Sequence, residues 1–300
     1  MSPVARCRGF LSRWLFAPAE AGPLGLCRLA FYGLLFLYFV RLDFAAFGGL
    51  PDSVFHPISV FRVFRIPVAP PAALDAAQLV WKASLLLAAI GLATRPACWI
   101  AFLVGTYLLA VPQNAGRVFH DDALLVFILA ALAFSRCGAA WSVDAWLRRR
   151  RGGQPAAPSG EHRWPLIFAQ VVLSCVFFAA GWAKLRNGGL AWVFSDHMST
   201  VLIKQQYNSD PWVNWGLHVA ARPWLASVMA ASTLLIELAY PLALASRRVR
   251  WIVVPGMAAA QVGIRALMGP AFWPFLICNV FWIPMMVPGG GIRGPWRERG

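Results

Sequence analysis

Long apolar runs alternate along this chain with short segments that carry most of its charge, and that alternation permits few folds. The hydrocarbon core of a bilayer is about 30 Å thick, so a helix rising 1.5 Å per residue needs about 20 mostly apolar residues to cross it. Runs of this kind fall at roughly 22–41, 73–93, 96–112, 119–136, 164–184, 223–246, 249–268 and 271–288. In hydrocarbon each backbone N–H and C=O must be satisfied within its own segment, which makes such runs helices. The expected fold is all-α, a polytopic transmembrane helix bundle of about eight spans. Composition agrees: 59% of residues are apolar and 13% charged, too few charges to cover a water-facing surface, where a soluble domain carries about 25%. The 15 tryptophans suit a membrane–water interface. The connection from Ala93 to Pro96 is short enough to require a tight helical hairpin, and Pro255 and Pro274 fall where they would kink late spans. The first run, Leu24 to Val40, exceeds the apolar part of a signal peptide and continues into Arg41-Leu42-Asp43, so it reads as a span.

The net charge of +15 on a soluble protein would point to nucleic acid. Here the cations lie between apolar runs, with no basic patch interleaved with aromatics, so nucleic acid is excluded. With the N-terminus inside, sixteen of the 27 cations fall in inner segments, including Arg95, Arg136, the run Arg148-Arg149-Arg150-Arg151, Arg247 and Arg248. Nine fall outside, and Arg28 and Lys82 lie within spans. Cytoplasmic segments are enriched in Lys and Arg, so both termini are expected in the cytoplasm, with the chain multi-pass in the cell membrane. The lipid bilayer is the expected partner, and the sequence identifies no protein partner.

The chain divides into a basic segment at 1–21, a transmembrane domain at 22–288 and a tail at 289–300, the last also cytoplasmic. Within 7–16, Phe10, Leu11, Trp14 and Leu15 share one helical face, as in an interfacial helix or simply a basic tail. A Gly- and Pro-containing stretch at about 148–163 reads as a flexible cytoplasmic linker. Two long outer segments, 42–72 and 185–222, are placed to cover an external site. The six cysteines form no Cys-x-x-Cys and no His stands at ligand spacing, so neither a metal site nor structural disulfides are expected.

Ionisable groups inside spans are costly and mark either packing or function. Glu237 stands well inside the sixth run, and Arg28 and Lys82 are its candidate partners; the pair would fix helix packing or relay protons. His120-Asp121-Asp122 opens the fourth run. The two carboxylates fit a helix start, while His120 titrates near neutrality and can carry protons. Lys184 ends the fifth run, either reaching the interface by its long stem or acting as a desolvated base. His120 and Lys184 both fall on the outer side, where one outward-facing pocket would hold them.

Four segments together resemble a known family. Leu26-Cys-Arg-Leu-Ala-Phe31 is similar to an Arg-containing first helix. Phe119-His-Asp-Asp-Ala-Leu-Leu125 followed by Trp141-Ser-Val-Asp-Ala145 is similar to a His-led helix ending in Trp-Ser-Val-Asp. Gly181-Trp-Ala-Lys-Leu185 with Trp192, and Leu234-Leu-Ile-Glu-Leu238, complete the set. In order, spacing and sidedness the chain resembles the horizontally transferred transmembrane (HTTM) domain, the membrane part of vitamin K-dependent gamma-carboxylases. The resemblance implies Lys184 as the base that deprotonates a reduced quinone and His120 as the assisting group. Reduced vitamin K or another quinone is the implied cofactor; the residues by themselves indicate none.

Two features depart from that pattern. Gln261 stands where the family often has His, and the chain ends at Gly300 without the large domain that holds protein substrates. Three functions follow: an HTTM membrane protein with an outward pocket at Lys184 and His120, a quinone-dependent carboxylase-like enzyme, or a non-catalytic accessory or immunity-type membrane protein.

Overall fold

A computed structural model describes residue 9, residues 12–116 and residues 120–287, with the backbone alone at Asp52 and His120. Residues 7, 8, 10 and 11 of the expected 7–16 interfacial segment and all of the 289–300 tail lie outside the described residues. Among the described residues the regular elements are helices, with one isolated β-bridge between Ala19 and Ser159. They are α1 (Ala21–Phe39), α2 (Ser59–Phe64), α3 (Pro71–Ile90), α4 (Thr94–Ala110), α5 (His120–Phe134), α6 (Val143–Arg150), α7 (Trp164–Gly188), α8 (Ala191–Phe194), α9 (His197–Asn208), α10 (Trp215–Ala220), α11 (Pro223–Ala239), α12 (Leu242–Ala245), α13 (Arg247–Met268), α14 (Trp273–Cys278) and α15 (Ile283–Met286).

Among the described residues five segments are long and apolar enough to cross a membrane: Ala21–Phe39, Pro71–Ile90, Thr94–Asn114, Gly160–Gly188 and Arg247–Met268. The other three expected spans are helical but short. α5 has 15 residues and α11 has 17, which reach about 22 and 25 Å at 1.5 Å per residue. The last run is broken by a 3-10 turn, Asn279–Trp282, between α14 and α15. Pro274 sits in the first turn of α14, where no N–H is missed, and so starts a helix instead of kinking one. Pro255 lies inside α13.

The chain forms two compact units, Met1–Ala169 and Gln170–Gly300, whose boundary falls within α7. In the first unit the expected hairpin of α3 and α4 is present. Gly91 caps α3 in the left-handed region at φ 72°, and Ala93 turns at φ 46° into α4. Trp81 is fully buried between them; its indole donates to Ala101 O at 3.0 Å, beside Gly105, which has no side chain to obstruct it. The outer segment 42–72 is fastened to the end of α4: Asn114 O and Oδ1 accept from the amides of His56 and Ile58, and the Tyr107 hydroxyl accepts from Ala69 N and donates to Pro67 O.

The stretch expected to be a flexible linker makes hydrogen bonds to Ala19. Residues 148–150 belong to α6, Ala19 and Ser159 exchange backbone hydrogen bonds at 3.0 and 3.1 Å, and buried His162 places Nδ1 3.1 Å from Ala19 O.

In the second unit α7 and α11 run antiparallel, with Phe177 and Tyr240 rings 4.6 Å apart. α8, α9 and α10, formed from the expected outer segment 185–222, pack against the first turns of α11. α9 and α10 also pack against α13.

Candidate functional site

The second unit centres on a pair of opposite charges. Lys184 lies near the end of α7 and Glu237 near the end of α11. One turn below Lys184, Gly181 lets the helices close: a Cβ built there would stand 2.9 Å from Glu237 Cβ. Across this contact Lys184 Nζ donates to Glu237 Oε1, an ion pair with side-chain exposures of 23% and 8%. The Trp192 ring lies 5.7 Å from the ammonium, close enough for a cation–π attraction, and stands 4.4 Å from the His197 ring.

Among the buried polar atoms of the second unit, Glu237 Oε2, Trp192 Nε1 and Gln261 Oε1 are unpartnered. Gln261 is buried in α13, its Nε2 turned to Met257 Sδ at 3.8 Å. Just past the end of α11 that holds Glu237, the Tyr240 hydroxyl donates to Asn279 Oδ1 at 2.8 Å, and the Asn279 amide is again unpartnered. Below them Arg250 is buried and donates to Ala243 O at 2.8 Å and Met285 O at 3.3 Å, with its guanidinium 5.7 Å from the Trp282 ring. The sequence counted Arg250 only as one more inner cation; a cation directly after a helix start, with carbonyl-rich helix ends nearby, was the available signal.

Neither expected partner of Glu237 is its partner. Arg28 is fully buried in the first unit and donates to Ala88 O at 3.0 Å and to Trp141 O. It is held by the carbonyl end of α3, where a cation is favoured. Lys82 Nζ donates to Leu42 O at 2.8 Å, capping the chain just past α1. Both cations are taken up by carbonyls, and Lys184, expected either to reach the interface or to act as a base, pairs with Glu237 Oε1. His120 opens α5, but its side chain lies outside the described residues. Nearby Asp122 Oδ2 accepts from Gln113 Nε2 at 2.7 Å and lines an apolar cavity of about 790 Å³ with Ile58, Leu109, Val126 and Phe127.

The Trp141-Ser-Val-Asp144 segment is a structural lock. Ser142 caps α6 by accepting from Ala145 N, and Asp144 reaches back to cap α4. Its Oδ1 accepts from Ala93 N at 2.9 Å, and its Oδ2 accepts from Thr94 N and Thr94 Oγ1, both at 2.7 Å. Burial works against the charged Asp144 carboxylate. The hydrogen bonds from Thr94 and Ala93 outweigh it and hold the group below the usual aspartate range.

A family model for the HTTM domain matches residues 16–285. The chain belongs to the HTTM family. No curated protein and no solved structure matches it. In this HTTM chain the quoted segments meet in pairs. The first-helix arginine and the Trp-Ser-Val-Asp segment meet at Trp141 O, and the Lys184 and Glu237 segments meet at the ion pair. Cys98, Cys137, Cys175 and Cys278 are free thiols. Among the described residues no group of three or more His, Cys, Asp and Glu is placed to hold a metal.

Proposed function

We propose that this HTTM protein spans the cell membrane eight times, with both termini in the cytoplasm, and that Lys184 and Glu237 form a proton-transfer centre acting on a reduced quinone. The observation that carries the reading is the pair itself, flanked by one orphaned acceptor, Glu237 Oε2, and one orphaned donor, Trp192 Nε1. A phenolic hydroxyl offers one proton to give and one lone pair to receive it, so these residues fit a quinol. When bound, such a group supplies an acidic hydroxyl and, with oxygen, the oxidative chemistry. Lys184 Nζ would take the quinol proton once the ammonium proton of the ion pair has passed to Glu237, so that the re-protonated amine and the quinolate balance each other's charge. Trp192 orients the ring oxygen and covers the ammonium. The helices of 191–220 limit access of water to the pair.

The test is turnover of reduced vitamin K by the reconstituted protein under oxygen, with oxidised product measured by chromatography. The wild type forms product and Lys184→Ala does not, a loss of at least about a hundredfold for removal of a proton-transfer group. Equal turnover by Lys184→Ala, or no quinol binding by the wild type, overturns the reading.

A further inference from the structure

The first unit contains a second polar cavity, of about 750 Å³, at the end of the helices where 148–163 returns. Three arginines line it from three elements: Arg95 in the first turn of α4, Arg136 just after α5, and Arg148 in α6. Among the described residues none of them forms an ion pair. Arg148 Nη2 makes one long bond, to Ala139 O at 3.4 Å. Two carboxylates share the cavity wall, Asp144 and Glu161. Both oxygens of Asp144 are already committed to Ala93 and Thr94, which leaves three guanidinium groups facing one free carboxylate. Such a set has a net affinity for anions, and planar guanidinium groups match the paired oxygens of a phosphate.

The surroundings indicate which phosphate. Trp141 and Trp146 are 63% and 51% exposed and line an adjoining cavity of about 400 Å³ together with Arg149. The Arg150 guanidinium lies 4.4 Å from the Trp146 ring. Exposed tryptophans beside unpaired arginines are the side chains of a headgroup layer, with the indoles at the acyl boundary and the cations at the phosphates. We propose that the cavity of Arg95, Arg136 and Arg148 is a binding site for the phosphate headgroup of an anionic lipid, with Trp141 and Trp146 seating the lipid beside it. The ordered return of 155–159, held by the Ala19–Ser159 bridge, forms one wall, so lipid binding and the order of this segment are coupled. The site holds whichever face of the membrane this end occupies, and it is independent of Lys184.

The test uses the full-length protein in mild detergent, with phosphatidylglycerol, phosphatidylcholine and inorganic phosphate as separate additions. Retained lipid is counted by native mass spectrometry, and thermal stability is followed by intrinsic fluorescence. Phosphatidylglycerol is expected to be retained and to raise the melting temperature, while phosphatidylcholine has no such effect. Each arginine near a phosphate contributes about fivefold, so R95Q/R136Q/R148Q weakens retention about a hundredfold. A control lacking three exposed arginines elsewhere, R41Q/R186Q/R248Q, retains lipid as the wild type does. If the triple variant does not fold, R95Q alone carries the test with an expected loss of about fivefold. Undiminished retention in the cavity variants, or equal retention of the zwitterionic lipid, overturns the site. Equal stabilisation by inorganic phosphate overturns the lipid assignment.

Discussion

Glu237 finds its counter-ion on α7, 53 positions away in sequence, and that choice separates two roles for the pair. If it served packing alone, an apolar pair of similar volume would replace it. Removing one member of a buried pair leaves an uncompensated charge and costs about 3–5 kcal/mol, whereas replacing both with apolar groups is often neutral. Lys184→Met and Glu237→Met are each expected to lower thermal stability in detergent, and the double variant is expected to recover most of the loss. Quinol turnover, in contrast, is expected to be absent from all three. A double variant that recovers stability and retains turnover would sink the proton-transfer role. A double variant no more stable than the singles would mean the pair is not coupled as its geometry requires. Gly181 sets the approach of the two helices, so the same residue that makes the contact possible also limits which substitutions the site tolerates.

At the level of elements, Asp144 holds one helix from the start of another. Replacing an N-cap by Ala costs about 1–2 kcal/mol, so Asp144→Ala is expected to destabilise the first unit by that amount near neutral pH. The sign of the pH dependence follows from the depressed carboxyl. Its contribution is complete above the unfolded value of about 4 and is lost as pH falls through the lower folded value. The stability gap between wild type and Asp144→Ala, measured by thermal melts at stepped pH, therefore narrows only below about pH 4. A gap that closes instead between pH 5 and 7 would assign the effect to another group. The elements themselves were legible in the sequence because apolar runs and the Gly91-to-Pro96 break act locally. The cap was not, because Asp144 lies 50 residues from Thr94 and nothing local marks its target. The same holds for Lys184. Sequence supplied the charges and the family's segments, but it pointed Glu237 to Arg28 or Lys82, the two cations inside spans, and nothing local marked Lys184 as its partner. The break in the last run at Asn279 was hidden by its apolar content.

For the whole molecule, the number of crossings and the sidedness of the termini are one question. If only the five long helices crossed, the count would be odd, and the segment holding Arg148-Arg149-Arg150-Arg151 would face outward with 189–222 facing in. That arrangement puts the densest cation run on the wrong side of the positive-inside rule. Eight crossings reverse both segments, with α5, α11 and the broken α14–α15 run spanning despite lengths below the usual 20 residues. Short spans are accommodated by local thinning and by flanking groups at modest cost. Single cysteines at two exposed positions, Gln154→Cys and Asn208→Cys, decide between them in a background with Cys7 and Cys175 changed to Ser. In intact cells a membrane-impermeant maleimide is expected to label Asn208→Cys and to spare Gln154→Cys until the membrane is permeabilised. The opposite pattern overturns eight crossings with both termini in the cytoplasm, and it moves the Lys184–Glu237 pair toward the cytoplasmic face. It would leave the pair's geometry intact and change which compartment supplies its substrate, so the labelling experiment also determines from which side a quinol and oxygen reach Lys184.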